Sequence, residues 1–383
     1  MFVRTYAGAV VGIDAVKVTV EVNLTGGGLG LYLVGLPDNA VKESEQRIRA
    51  AFENTGRKMS GRKVVVNLAP ADLRKEGAGF DLPIAVGILA AMERVPAEAV
   101  EGTLFVGELS LDGSLKPVRG VLPIAVCARD AGLRRLVVPA DNAAEAAVVE
   151  GIEILGVGSL GQLLGALRGE TTLEAARPAA EDSSDAAAER YAEDFADVKG
   201  QTFAKRALEI AAAGGHNVIM IGSPGSGKTM LARRLPTILP PLTREEALET
   251  TKIHSVAGKG HAGGLMTQRP FRAPHHLTSQ VALIGGGQSP QPGEVSLAHN
   301  GVLLNDRLLQ RAEDLPKTHI GTDSYVAVRL LEKQNALNFN SLRKVAEQVQ
   351  GTFVFTVLDA QDNLYFVHGD NPLCLYHFPK QGI

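Results

Sequence analysis

The feature that most constrains this chain is an eight-residue run, 222–229, between a short apolar segment and a helix-like one. The segment before it, 218–221, has the length and composition of a buried parallel strand. The run has the spacing Gly-x-x-x-x-Gly-Lys-Thr of a phosphate-binding loop, and strand–loop–helix is the context that this motif requires. Its members are Gly222, Ser223, Pro224, Gly225, Ser226, Gly227, Lys228 and Thr229. The sequence therefore predicts a nucleotide-binding α/β module.

The residue types of this loop suit a nucleotide triphosphate and its metal ion. Glycines let backbone N–H groups curl around the phosphates, and the N-terminus of the following helix adds partial positive charge. Lys228 brings a cation to the β- and γ-phosphates, and Thr229 places a hydroxyl where Mg²⁺ binds. We therefore expect ATP and Mg²⁺ as cofactors, held by residues 222–229.

Length and composition exclude several other classes. A chain of 383 residues with 45% hydrophobic residues suggests two or three packed domains, and a net charge of −3 argues against a generally basic nucleic-acid binder. Two cysteines, Cys127 and Cys374, imply no disulfide framework. The sequence has no signal-peptide pattern and no apolar run long enough for a membrane span. We expect a cytoplasmic protein that does not bind membranes.

The composition and residue pattern change three times along the chain, which predicts a multidomain α/β and α+β protein. Residues 1–168 mix strand-like and helix-like segments, as an α+β domain does. Residues 169–194 form an acidic, Ala-rich linker, and residues 195–304 contain the phosphate loop in an α/β core. Residues 305–383 are richer in Asn, Gln and aromatic residues, and they predict a small α+β fragment.

Individual elements of the first domain are predicted from periodicity and turn residues. Helices are expected from Asp38 to Gly56, from Leu82 to Met92 and from Leu122 to Ala131. Residues 104–115 resemble a hairpin that turns at Asp112-Gly113. Strands are expected at 16–22, 31–34, 63–68 and 136–138.

Several long motifs, in a consistent order, resemble the magnesium-chelatase-like AAA+ proteins of the YifB and ComM family. In the first domain they are Val34-Gly-Leu-Pro-Asp38, Val41-Lys-Glu-Ser44, Val66-Asn-Leu-Ala-Pro-Ala-Asp-Leu73 and the segment from Glu76 to Ile84. In the second they are Gly214-Gly-His216, the loop with its helix to Ala232, Arg269-Pro-Phe-Arg-Ala-Pro-His-His276 and Pro292-Gly-Glu-Val-Ser-Leu-Ala-His-Asn-Gly-Val-Leu303. The resemblance covers about 1–304.

This resemblance implies a fold, partners and a role. The first domain is expected to have the fold of the Lon protease catalytic domain, and the second to be an AAA+ core that forms a hexameric ring. ComM relatives are linked to natural transformation and resemble DNA helicases, so DNA is an expected partner. Arg272, His275 and His276 are expected on an AAA+ insertion, with a structural or pore-loop role favoured over metal binding. The backbone near Val198 is expected to flank the adenine.

The Lon-like fold would use a Ser–Lys dyad, and this chain does not carry one. The serine position falls within Gly77–Phe80, which has no hydroxyl or thiol, and the lysine position falls on or near Leu122. Lys75 and Lys116 are present, but they have no nucleophile to activate. We therefore expect the domain to be a scaffold rather than a protease.

The family pattern breaks off where ATP hydrolysis needs it. The family resemblance leads us to expect an apolar strand ending in Asp-Glu, and the chain instead reads Gly301-Val-Leu-Leu-Asn-Asp-Arg307. Asp306 lies at the Mg²⁺-associated Asp position, whereas Arg307 replaces the glutamate that orients water. We expect a truncated core that binds ATP and hydrolyses it at a rate near background.

The tail has a different resemblance. Thr318–Ser324, Gly351–Asp359 and Gly369–Leu373 resemble class II glutamine amidotransferases, with Asp323 at the family's carboxylate position. The chain begins Met1-Phe2 rather than with that family's cysteine nucleophile, and Cys374 is expected to be an apolar filler. We interpret the chain as a fusion of two fragments whose tail, with a hairpin across 360–363, is the least protected part.

The sequence is compatible with three alternative functions. The first is an ATP-binding AAA+ protein with a family role in DNA processing, and the second is a nucleotide-binding interaction module that does not hydrolyse ATP. Arg307 is the residue that separates them. The third is an amidotransferase-related remnant, which would require a nucleophile that the chain lacks.

Overall fold

The computed structural model describes most of the chain, and the described part forms two compact units. The described residues are 1–26, 28, 30–59, 61–178, 191–220, 223, 225–259, 264–275, 277–286, 291–300, 302–303, 354–358 and 364–368. Unit 1 comprises 1–187, 243–267 and 284–297, and unit 2 comprises 188–242, 268–283 and 298–383. Among the described residues, no helix is both long and apolar enough to cross a membrane.

The N-terminal part of unit 1 alternates strands and helices. Its elements in chain order are β1 (Phe2–Val11), β2 (Asp14–Thr25), β3 (Gly30–Val34), α1 (Asn39–Lys42), α2 (Ser44–Asn54), β4 (Lys63–Ala69), α3 (Asp81–Ala91), α4 (Ala97–Val100), β5 (Thr103–Phe105), β6 (Glu108–Leu109), β7 (Leu115–Lys116), α5 (Val121–Asp130), β8 (Arg135–Pro139), α6 (Ala143–Ala146), β9 (Glu153–Val157) and α7 (Leu160–Leu167).

The second half of the chain contributes to both units. Its elements in chain order are α8 (Thr202–Gly214), β10 (Val218–Met220), α9 (Lys228–Arg234), α10 (Arg244–Val256), β11 (Phe271–Arg272), α11 (Gln280–Ile284), β12 (Gly285–Gly286), β13 (Gln291–Pro292), α12 (Glu294–Leu297), β14 (Val302–Leu303), β15 (Val354–Leu358) and β16 (Leu364–His368).

A mixed seven-stranded sheet organises unit 1, in the order β3-β4-β2-β1-β5-β8-β9. The pairs β1–β2 and β2–β4 are antiparallel, and the other four pairs are parallel. Strands β2 and β4 alternate buried and partly exposed residues, so one face of this half of the sheet packs on a core.

Helix α3 is the centre of that core. All eleven of its residues are buried, as is expected of a helix that is apolar on every side. A Cβ at Gly87 would lie 2.7 Å from a Val22 methyl, so the small residue allows the close approach of α3 to β2. Thr5 donates a hydrogen bond of 3.0 Å from its hydroxyl to the Pro83 carbonyl oxygen and so joins β1 to the same helix.

Helix α10 belongs to unit 1 although it follows the phosphate loop in sequence. It begins with a capping box in which Thr243 and Glu246 satisfy each other's backbone N–H groups. Its ion pairs also lie within unit 1: Lys252 is 2.5 Å from Asp14, and Arg244 is 2.6 Å from Glu150.

Unit 2 contains α8, β10 and α9 around a small apolar cluster. The buried members of the cluster are Phe195, Val198, Ala204, Leu208 and Leu231. Strand β10 pairs with β15 in parallel, and β15 pairs with β16 in antiparallel, which makes a three-stranded sheet.

The structure confirms several predicted elements and corrects two. The single helix predicted from Asp38 to Gly56 is two helices, α1 and α2, separated at Glu43. The strands at 16–22, 31–34, 63–68 and 136–138 lie within β2, β3, β4 and β8, and the predicted tail hairpin is formed by β15 and β16. The hairpin predicted over 104–115 is wrong in its first part. Leu104 lies in β5, which pairs in parallel with β1 and β8, and the hairpin is only β6–β7. The segment 318–324 with Asp323, and also Cys374, lie outside the described residues.

Candidate functional site

The phosphate-loop segment lies between β10 and α9, as the sequence predicts. Strand β10 ends at Met220, and α9 begins at Lys228 directly after its N-cap residue, Gly227. Gly222 and Pro224 lie outside the described residues, whereas Ser223 and residues 225–229 are described.

Two glycines of the loop have backbone conformations that other residues rarely adopt. Gly225 has φ 84° and Gly227 has φ 85°, in the left-handed region. A Cβ at Gly227 would also lie 3.0 Å from Nε2 of Gln201 and 3.3 Å from Cε of Met230. The glycines in the motif are therefore required by the path of the chain at these points.

Lys228 and Thr229 are the side chains through which this loop would contact a nucleotide. The Lys228 ammonium donates hydrogen bonds to the Ser223 carbonyl oxygen at 2.9 Å and to Ser226 Oγ at 3.3 Å, so it lies over the loop. Thr229, the next residue, is exposed. A cation and a hydroxyl at adjacent positions on a glycine-rich loop fit the phosphates of a nucleotide and an accompanying Mg²⁺.

Gln201 is a residue near this loop that the sequence analysis did not identify. It precedes α8 with φ 50°, and its Nε2 lies 3.5 Å from the Ser226 carbonyl oxygen, to which it donates. The only sequence signal is its place three residues after Val198. Val198 itself has a buried side chain, its N–H donates to Phe195 O, and its carbonyl accepts from Lys205 Nζ.

Arg269, from the Arg-Pro-Phe-Arg motif, joins separate segments of unit 2. Its guanidinium donates to the carbonyl oxygens of Pro240 (2.6 Å), Asn300 (2.6 Å) and Pro241 (3.4 Å). Its backbone N–H donates to the Tyr191 hydroxyl at 2.9 Å, and burial raises the pKa of Tyr191, which keeps that hydroxyl neutral.

The same segment supports the strand that leads toward Asp306. Phe271 and Arg272 of β11 pair in parallel with Val302 and Leu303 of β14, and Val302 N–H donates to Pro270 O at 2.8 Å. Asp306 and Arg307 lie outside the described residues. Within the described part of unit 2, β14 pairs with β11 and not with β10.

The histidine pair of this motif shows no metal site within the described part of the chain. His275 is exposed, and its Nδ1 accepts from the Leu277 N–H at 3.2 Å. His276 lies outside the described residues. No group of three His, Cys, Asp or Glu side chains that could hold a metal is found among the residues that are described.

The positions expected for a Ser–Lys dyad have structural roles. At the serine position, Ala78–Phe80 form a short 3₁₀ turn before α3. At the lysine position, Leu122 of α5 is fully buried in an apolar cluster with residues of β8. Lys75 is also fully buried, donates to the Pro70 carbonyl oxygen, and has a pKa lowered by that burial.

Comparisons with known proteins match both halves of the chain. Residues 194–315 match the family model described as magnesium chelatase, subunit ChlI, and residues 20–142 match the model described as subunit ChlI of Mg-chelatase. The chain is 47% identical over 306 residues to an uncharacterized protein of Mycobacterium tuberculosis, which covers 79% of this chain and 60% of that protein.

Two further relatives are known by name. Identity is 45% over 300 residues to YifB of Escherichia coli, with 78% of this chain and 58% of that protein covered. It is also 45% over 303 residues to the competence protein ComM of Haemophilus influenzae, with 79% and 59% covered. The chain thus spans about 60% of the length of the relatives that it matches.

A more distant similarity is to Lon proteases. The chain is 28% identical to Lon protease 2 of Bacillus subtilis over 125 residues, which is 32% of this chain and 22% of that protein. This agrees with the expectation of Lon-like homology.

Proposed function

We propose, from its matches to the magnesium chelatase subunit ChlI models and to YifB and ComM, that this chain belongs to their family and binds ATP with Mg²⁺ at residues 222–229. We further propose that it acts in DNA processing in the cytoplasm and that its nucleotide-binding units assemble into a hexameric ring. ATP binding is the part that its own residues support most directly.

The observation that carries the proposal is the placement of Lys228. Its ammonium lies over a loop with two left-handed glycines, and it bonds to Ser223 O and Ser226 Oγ. These are weak acceptors compared with a phosphate oxygen, because charge-assisted bonds between two ions are stronger than those to neutral groups. A bound triphosphate would replace them.

Four described residues of the loop, and Gln201 beside it, have distinct roles in this proposal. Lys228 neutralises phosphate charge, Thr229 offers its hydroxyl to Mg²⁺, and the backbone around Gly225 and Gly227 approaches the phosphates without a Cβ in the way. Gln201 holds the Ser226 carbonyl and so limits the loop's freedom. Mg²⁺ would screen charge on the phosphates, with Asp306 as a weaker candidate for holding it.

We propose that the protein binds ATP but hydrolyses it poorly. Arg307 occupies the position of the glutamate that orients the attacking water, and an arginine cannot accept a proton from water. The alternative is an interaction module whose nucleotide has only a structural role. The amidotransferase-related remnant stays a prediction without further support.

The DNA role is proposed from ComM, whose name identifies it as a competence protein. This chain covers 59% of ComM. We propose the DNA partner and the hexamer for this chain as hypotheses that ATP binding alone does not test.

A thermal-shift measurement on the full chain tests the site. With ATP–Mg²⁺ at a hundred times its dissociation constant, stability should rise by about 2.7 kcal/mol, and Lys228→Ala should lose the rise. Lys259→Ala, which removes an exposed lysine of unit 1, is the matched control and should keep it. Equal melting curves for the wild type with and without nucleotide would refute the proposal.

A further inference from the structure

One face of the unit 1 sheet presents aromatic rings beside cations. Three rings on the strands of this face each have a cation within about 5 Å of the ring centre. The distances to the ring centroid are 5.0 Å for Arg4 and Phe2, 5.1 Å for Lys17 and Tyr6, and 4.6 Å for Lys63 and Tyr32. We call these six residues the aromatic–cation face.

The strand register aligns two of the rings across four strands. Phe2 is paired with Asn23, Asn23 with Val65, and Val65 with Tyr32. Neighbouring strands lie about 4.8 Å apart, so the two rings stand about 14 Å apart on one line across the sheet. They are therefore two separate platforms on the same surface.

Phe2 and Tyr32 are exposed because the core around α3 lies on the opposite side of these strands, whereas Tyr6 is partly buried against the apolar cluster that contains α5 residues. Residues such as Val20, Val22 and Leu68 point to that side and are fully buried. Phe2 is 52% exposed and Tyr32 49% exposed. Burial of either ring in the core would require a one-residue register slip that would bring the fully buried residues to the surface.

The charges on this face suit a polyanion. In β1 to β4, all of which the structure describes, Glu21 is the acidic residue on the side of the rings. Its carboxylate lies 3.4 Å from Arg4 and accepts from the Asn67 amide at 3.0 Å. Three cations thus face one carboxylate, and the two amides Asn23 and Asn67 add donors and acceptors for base edges.

We propose that the aromatic–cation face binds single-stranded DNA. Bases would stack on Phe2 and Tyr32, and Arg4, Lys17 and Lys63 would contact phosphates. Stacking rings that alternate with cations on a sheet are the combination used for single strands, because only unpaired bases expose their faces to a ring. This inference rests on the proposed DNA role for the choice of polymer, and it locates DNA outside the ATP-binding unit.

Fluorescence anisotropy of the full chain with a labelled twenty-nucleotide oligo(dT) tests the face. The wild type should bind without nucleotide, and affinity should fall as salt rises, because phosphate contacts release counterions. Phe2→Ala and Tyr32→Ala should each weaken binding about tenfold, in line with the loss of one stacked base. Tyr32→Phe keeps the ring and should bind like the wild type.

Phe203→Ala is the matched control, because Phe203 is a 63% exposed aromatic on α8 of unit 2. It should leave DNA binding unchanged, and the melting temperatures of all variants should confirm that they fold. Lys63→Gln should weaken binding and reduce its salt dependence by about one counterion.

Three results would overturn the inference. One is a wild type that does not bind oligo(dT), and another is binding that Phe2→Ala and Tyr32→Ala leave unchanged, which would place DNA elsewhere. The third is a change of oligomeric state in these variants with unchanged DNA binding, which would make the face a contact between copies. Lys228→Ala separates this inference from the ATP site, since it should lose nucleotide binding and keep ring-dependent DNA binding.

Discussion

Arg47 of α2 and Asp81, the first residue of α3, form a bidentate ion pair in unit 1. The distances are 2.6 Å from Nε to Oδ2 and 3.0 Å from Nη2 to Oδ1. The Asp81 carboxylate is fully buried, and it also accepts from the Ser44 hydroxyl at 2.5 Å and the Leu109 N–H at 3.1 Å. One carboxylate thus connects α2, α3 and β6 directly after residues 77–80, where the family resemblance leads us to expect the serine position of a Lon-type dyad.

Removing one partner of this pair should destabilise the protein strongly. Arg47→Ala leaves a buried carboxylate without its cation, and we expect a loss of about 3–5 kcal/mol in urea unfolding of the full chain. Arg49→Ala is the control on the same helix, because the Arg49–Glu45 pair is more exposed and should contribute less than about 1 kcal/mol. Similar unfolding midpoints for the two variants would show that the buried pair has no special role.

Lys75 should make stability depend on pH. Its burial lowers the pKa, so the folded state disfavours the protonated form, and the unfolded chain binds more protons between the folded pKa and about 10.4. Stability of the wild type relative to Lys75→Met should therefore rise as pH increases through this window. If the stability difference between the wild type and Lys75→Met did not vary with pH, burial would not lower the pKa of Lys75.

Arg269 should hold the segments of unit 2 together. Arg269→Ala removes a charged donor from three carbonyl oxygens, and we expect a loss of about 1.5–3 kcal/mol. Exchange of the Val302 amide hydrogen, which is bonded to Pro270 O next in sequence, should become faster. Arg233→Ala removes an exposed arginine of α9 and should leave that exchange unchanged. Unaltered Val302 exchange in Arg269→Ala would contradict the role.

The parts of the fold that the sequence predicts are those in which neighbouring residues carry the signal. The alternation in β2 and β4 and the apolar run of α3 are local, and so is the spacing of the phosphate loop. Arg269 donates hydrogen bonds to residues that are 28–31 positions away in sequence. No local sequence pattern predicts such bonds. The course of β5 was missed for a related reason, because its neighbours β1 and β8 are distant in sequence and the only nearby turn signal was Asp112-Gly113.

Hydrolysis of ATP should stay near background. The family pattern implies that Arg307 takes the position of the water-orienting glutamate, so phosphate release by the full chain should equal that of Lys228→Ala. Arg307→Glu should not restore turnover, because the sequence offers no recognisable downstream sensor or arginine finger. Turnover that is well above background in the wild type and is abolished by Lys228→Ala would show that another group orients the water.

The tail hairpin has a partner that the sequence did not indicate. Strand β15 lies parallel to β10, with Val218 opposite Thr356 and Met220 opposite Leu358. Strand β10 leads directly into the phosphate loop, so its backbone pairing affects where the loop begins. The structure therefore changes the expectation for residues 354–358, whose amide hydrogens should exchange as slowly as those of β10.

Breaking this pairing should weaken ATP binding, and two proline variants can show it. Thr356→Pro removes a backbone N–H from β15, the central strand of the described sheet, whereas Phe366→Pro alters β16 at its edge, where proline is better tolerated. The loss of one ladder bond corresponds to about 0.5–1.5 kcal/mol, so ATP–Mg²⁺ affinity in Thr356→Pro should fall by up to about tenfold. Phe366→Pro should change it much less, because in the described sheet β16 pairs with β15 and not with β10. Isothermal titration with both variants measures the difference directly. If the two variants bind ATP–Mg²⁺ as tightly as the wild type while hydrogen exchange shows β15 released, the hairpin would be an independent appendage, as a fusion of two fragments implies.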